Sequence, residues 1–134
     1  MTDQRTASRQ CGQLAVTCSG EPVRISVCHC LACQKRSGGP FAAQVRYPEY
    51  QVTITGESRE WVRIADSGKP VENHFCPQCG STVWHRSRPH ADAIAVPVGA
   101  FADPAFSAPW FSVYEQRKHP WVEIVGEGIE HSDR

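Results

Sequence analysis

The run Val27-Cys28-His29-Cys30-Leu31-Ala32-Cys33-Gln34-Lys35-Arg36-Ser37-Gly38-Gly39-Pro40-Phe41 decides how the chain reads. Three thiols fall within six residues, after the apolar stretch Val23 to Val27. They precede LACQKRS, a run of good helix formers stopped by Gly38, Gly39 and Pro40, which predicts one short turn of helix. Thiolates at these spacings fold around one ion at a Zn–S distance of about 2.3 Å, whereas disulfides between such close neighbours would be strained. Zinc is therefore preferred here over inert buried thiols or a redox pair.

Outward from this run, ten Pro and ten Gly punctuate short stretches rich in Val, Ile, Thr and aromatics. That rhythm predicts an all-β fold of packed antiparallel sheets with short loops and little helix. The candidate strands are Gln13 to Cys18, Val23 to Val27, Phe41 to Tyr47, Gln51 to Thr55, Glu60 to Ile64, Val71 to Phe75, Ser81 to His85 and Ala93 to Val98. In QVTIT, Val52 and Ile54 share a face opposite Gln51, Thr53 and Thr55, the pattern of a half-buried sheet. No internal repeat or linker divides the chain. One domain over residues 9–129 is expected, with a flexible N-terminus at 1–8 and a flexible tail at 130–134.

Fourteen Lys plus Arg balance fourteen Asp plus Glu, so the chain has no basic field to gather nucleic acid. No apolar run reaches the roughly 20 residues that cross a bilayer, and MTDQRTASRQ lacks the apolar stretch of a secretory signal. A cytoplasmic protein without a membrane partner is expected. Seven cysteines, most of them clustered, then point to metal rather than disulfides.

The second cluster, Phe75-Cys76-Pro77-Gln78-Cys79-Gly80, is a knuckle in which Pro77 sets the turn and Gly80 lets backbone amides approach the sulfurs. Two cysteines cannot complete a structural site, and Cys11, followed by Gly12 as Cys79 is by Gly80, is the preferred remote partner. Such knuckles also serve iron, so an electron-transfer centre is a third-rank alternative.

RQCGQL, CHCLACQKRSGGPF, FCPQCG and HPWVEI, in that order, resemble the glutathione-dependent formaldehyde-activating enzyme (Gfa) family, to which centromere protein V also belongs. The resemblance implies a β-tent fold with two zinc sites. One is catalytic, held by Cys28, Cys30 and Cys33; the other is structural, held by Cys11, Cys76 and Cys79. One departure stands out: Arg9 occupies the place of the family's first cysteine, so the structural site lacks a ligand. Water, His74, Cys18 or another donor is left to complete it, or it holds metal weakly or is empty.

Cys18 reads better as a small core hydrophobe, and His74 and His85 as hydrogen-bonded or surface histidines. His29, between two ligands, alternates away from the metal, and its ring serves the ligands' surroundings or the substrate, or else stabilises the turn by a hydrogen bond to nearby backbone. It joins Cys28, Cys30 and Cys33 among the candidate catalytic residues. Trp110 and Trp121 are assigned to core packing.

Three thiolates make zinc a modest Lewis acid but leave a coordination position open, which suits a soft incoming thiol. With the resemblance, this implies a carbon–sulfur lyase that forms or cleaves S-hydroxymethyl adducts of glutathione or a similar small thiol. Lys35, Arg36 and Arg46 are candidate partners for its carboxylates. The alternative is a non-catalytic zinc-binding module that presents a β surface to another protein.

Overall fold

The computed structural model describes residues 3–87 and 92–134. Eleven strands and one α-helix follow in the order β1 (Gln4–Ser8), β2 (Ala15–Ser19), β3 (Arg24–Cys28), α1 (Leu31–Ser37), β4 (Ala42–Pro48), β5 (Val52–Thr55), β6 (Arg59–Ile64), β7 (Pro70–Phe75), β8 (Thr82–Ser87), β9 (Ala93–Pro97), β10 (Phe111–Val113) and β11 (Glu130–His131). They form a three-stranded sheet, β1-β2-β5, and an eight-stranded sheet, β11-β10-β3-β4-β9-β8-β7-β6. The expected all-β architecture of packed sheets is what the chain adopts. Pairing is antiparallel except at β10, which runs parallel to both β3 and β11.

The sheets meet through alternating apolar positions. Val16 and Cys18 of β2 face Ile25, Val45, Tyr47, Ile94, Val96 and Trp84 of the large sheet, and Val52 and Ile54 pack against this core. Burying each Val, Leu or Ile fully contributes about 1.5–3 kcal/mol, so this seam holds the two layers together. Cys18, 1% exposed, is a core hydrophobe and its thiol is pushed up to about 12 by burial.

Both chain ends carry paired strands. From Gln4 onward, β1 pairs with β2, and Ala7 is fully buried in the core. Met1 and Thr2 lie outside the described residues. In the tail, Glu130 and His131 form β11 beside β10. Both strands, β1 and β11, are secured by pairing across the ladder, which local patterning does not register. Trp110 and Trp121 are 41% and 73% exposed and so do not fill the core.

The other face of the large sheet is polar and still covered. Arg24, Ser26 and Cys28 of β3 and Gln44 and Arg46 of β4 point to it, with Ser26 and Gln44 buried. Helix α1 packs on β4 at this face.

Candidate metal centre

β3 ends at Cys28, and the chain turns at once into α1. The turn is fixed from the far end of the protein: His29 N–H donates to the Val113 carbonyl at 3.1 Å. The Gln34 amide donates to the carbonyls of His29 (2.8 Å) and Arg117 (3.1 Å). Cys30 caps the helix, its sulfur accepting from the Cys33 N–H at 3.4 Å. Gly38 ends it in the left-handed region, φ 72°, where its N–H reaches the Gln34 carbonyl at 2.9 Å. These constraints bring the sulfurs of Cys28, Cys30 and Cys33 within 4.8 Å of one another.

Thiolates sharing one zinc at about 2.3 Å stand about 3.8 Å apart in tetrahedral geometry, so this triad fits the ion. Its charge is already polarised. The sulfurs of Cys28 and Cys30, followed by the Arg36 guanidinium 3.4 Å from Cys33 Sγ, hold the Cys33 thiol far below its ordinary value. Cys28 is pushed up by the sulfurs of Cys30 and Cys33 and by burial.

His29 does not belong to the sulfur triad. Its ring is fully buried, with Nε2 at 2.9 Å from Ser112 Oγ. The Ser112 hydroxyl donates to Glu115 Oε2 at 2.6 Å, so its oxygen accepts from His29 and the ring carries its proton on Nε2. His29 Nδ1 is then a buried acceptor with no partner among the described residues. Burial holds this imidazole below its ordinary pKa, against the pull of Glu115.

The outer cluster also assembles. Cys11, Cys76 and Cys79 offer sulfurs within 4.8 Å of one another, with Cys11 Sγ and Cys76 Sγ 3.4 Å apart. Gly80, at φ 77°, closes the knuckle with its N–H on the Cys76 carbonyl at 2.7 Å. A residue that sequence reasoning missed completes the surroundings: Gln13 Nε2 donates to Cys76 Sγ at 3.0 Å and to the Glu57 carbonyl at 2.7 Å. Burial works against ionising Cys76, but Gln13 and the backbone N–H groups of Cys79 and Gln78 outweigh it and bring the thiol down to about 6. Gln13 lies two residues past Cys11, inside RQCGQL, but that motif assigns it no role; its placement against Glu57 and Cys76 does.

His74 is not the missing ligand of this cluster. It groups instead with Glu60 and Glu72, at 3.4 and 3.7 Å, and stacks on Trp84 with centroids 3.6 Å apart. His85 is likewise committed elsewhere, to Arg36. Among the described residues neither triad gains a fourth cysteine, which a four-cysteine iron centre needs. No described helix is long and apolar enough to cross a membrane.

A mostly β domain carrying two cysteine triads compatible with zinc is the class that fold and site define. The chain belongs to the glutathione-dependent formaldehyde-activating enzyme family, whose profile matches residues 4–117. No curated protein matches it. A crystal structure of a Rhodobacter sphaeroides protein is similar at a TM-score of 0.56 and 16% identity, covering 76% of this chain and 90% of that one. At that identity the likeness is one of fold.

Proposed function

We propose that the protein is a zinc-dependent carbon–sulfur lyase that forms or cleaves S-hydroxymethyl adducts of glutathione or a similar small thiol. The observation that carries the reading is that Cys28, Cys30 and Cys33 converge without a fourth Cys, His, Asp or Glu donor among the described residues. Zinc held there supplies a place where an incoming thiol is favoured as its thiolate. In the forward direction the thiol sulfur bonds to the carbonyl carbon of formaldehyde, the C–O π pair moves to oxygen, and the proton lost by the thiol ends on that oxygen. Cleavage reverses these changes.

The chain's own residues hold this geometry. Arg36 offsets part of the sulfur charge through its contact with Cys33. His29, tied through Ser112 to Glu115, fixes the turn between Cys28 and Cys30, its ring 5.8 Å from that of Phe41. The test is exchange NMR on glutathione and formaldehyde with zinc-loaded protein. Adduct formation is expected to exceed the spontaneous rate with the native chain and not with Cys30→Ser; equal rates would reject the lyase.

The alternative, a non-catalytic zinc-binding interaction module, draws on β6 at the margin of the large sheet. There Trp61 and Ile64 are 59% and 63% exposed. It expects bound zinc with no rate acceleration.

A further inference from the structure

Beside the inner triad, on the same polar sheet face, lies a group of arginines with no carboxylate among them. The β3–β4 register sets Arg24 directly opposite Arg46, Arg46 is opposite Ala95 of β9, and Ala95 is opposite His85 of β8. Alternation along β3 and β4 carries the same face through Ser26 and Gln44 to Cys28. From α1, Arg36 reaches over this row. Its guanidinium donates to Gln44 Oε1 at 3.0 Å, to His85 Nδ1 at 3.3 Å and to Cys33 Sγ at 3.4 Å.

A guanidinium only donates, so His85 Nδ1 accepts and the ring is neutral. Burial, then the charges of Arg36, Arg46 and Arg63, agree by pushing His85 well below its ordinary pKa. His85 therefore adds no counter-charge. Burial and the charge of Arg24 likewise press Arg46 down, while the thiols of Cys33 and Cys28 act the other way.

Like charges directly opposite each other destabilise an antiparallel pair, and a partly buried guanidinium without partners loses hydration. Yet neither Arg24 nor Arg46 has an ion pair or a side-chain hydrogen bond among the described residues. Arg24 lies over the Phe111 ring at 4.4 Å, and its Nε is buried with no acceptor among the described residues. Three thiolates on one divalent ion carry a single net negative charge. The guanidiniums of Arg24, Arg36 and Arg46 exceed it by two positive charges, and an anionic ligand is what such a surplus accommodates.

We propose that Arg24 and Arg46, backed by Arg36 and Gln44, form a carboxylate-binding subsite that makes the neighbouring cysteine triad select small thiols bearing carboxylates over neutral ones. The inference rests on reading that triad as a thiol site. Planar guanidiniums suit a carboxylate because they can offer two parallel N–H donors to its two oxygens. The subsite anchors the part of the substrate that does not react, leaving its sulfur to the triad.

The experiment uses cobalt(II)-substituted protein, in which thiol ligation is read from visible absorption. 3-Mercaptopropionate is compared with 2-mercaptoethanol, and succinate, succinamide and inorganic phosphate are titrated while arginine Nε–H signals are followed by NMR. The charged thiol is expected to bind at least about tenfold more tightly than the neutral one. Arg24→Gln and Arg46→Gln should each reduce that preference severalfold, while the exposed Arg59→Gln should not change it. Succinate should shift the Arg24 and Arg46 signals, and succinamide should not.

Equal binding of the two thiols, with no response to succinate, would overturn the subsite while leaving the thiol site intact. A succinate response without ligation of either thiol would keep the subsite and remove the thiol reading. Phosphate displacing succinate at lower concentration than succinate itself binds would overturn the assignment to carboxylates. If Arg46→Gln fails to fold, Arg24→Gln and the native-chain comparison still decide.

Discussion

Gln13 donates an amide hydrogen to the sulfur of Cys76 across 3.0 Å, and the same side chain clasps the backbone of Glu57 in both directions. The clasp relies on Gly56, where a Cβ would stand 1.9 Å from the Gln13 carbonyl oxygen. Removing the donor leaves the thiolate with the Cys11 sulfur and backbone N–H groups. Gln13→Ala is expected to weaken metal binding at the outer triad by about tenfold, the usual range for losing a group that supports a ligand. Competition with a chelating dye reads this, and unchanged exchange would show that the amide contributes no more than packing.

Arg9 gives a second prediction about the same triad. Cys11 and Cys79 are exposed, and no fourth donor joins them among the described residues. The outer metal should therefore leave to a chelator before the inner one, whose ligands are buried or half-buried. Arg9→Cys, two residues before Cys11, should slow that loss by roughly 10–100-fold if the added sulfur completes a closed four-thiolate site. Metal content per chain over time, with Cys33→Ser and Cys76→Ser to assign the two phases, checks it; simultaneous release would refute the ordering.

What the sequence makes legible follows the range of the interactions involved. Cys28, Cys30 and Cys33 assemble through one strand end and one helical turn, so six residues suffice to read the inner triad. Val52 and Ile54 alternate against Thr53 and Thr55 and are packed as their period implies. By contrast, β1 exists because Ala7 sits opposite Val16 and enters a core built from both sheets. Gln13, Gln34 and the Arg24–Arg46 pair acquire meaning only through partners dozens of positions away or across a ladder. Trp110 and Trp121 mislead for the same reason, since aromatic content says nothing about which side of a loop faces water.

The buried N-terminal strand yields a stability test. Ala7 has no exposure and lies against Leu14 and Val16 in the core cluster. Ala7→Asp places a carboxylate at that fully buried position, a cost of about 3 kcal/mol or more. Thermal unfolding should shift down by roughly 10 °C or more for a domain of this size. A melting temperature within a degree or two of the native value would mean that β1 detaches without consequence.

Glu115 should govern part of the acid limb of stability. Burial alone would raise its carboxyl, but hydrogen bonds from His131 at 2.7 Å and Ser112 at 2.6 Å outweigh that and hold it below its ordinary value of 4.5. A carboxyl lowered by folding adds stability that is complete above the unfolded pKa. That contribution disappears as pH falls through the lowered folded value. Glu115→Gln keeps the shape but loses the charge-assisted bonds, so near neutral pH it should cost about 1–2 kcal/mol, or roughly 3–6 °C. The native chain should converge on the variant as pH drops below about 4.5, because protonation then removes the same interaction. Melting curves from pH 7 to pH 3 test this, and a gap between the two proteins that persists at the acid end would trace the loss to packing instead of charge.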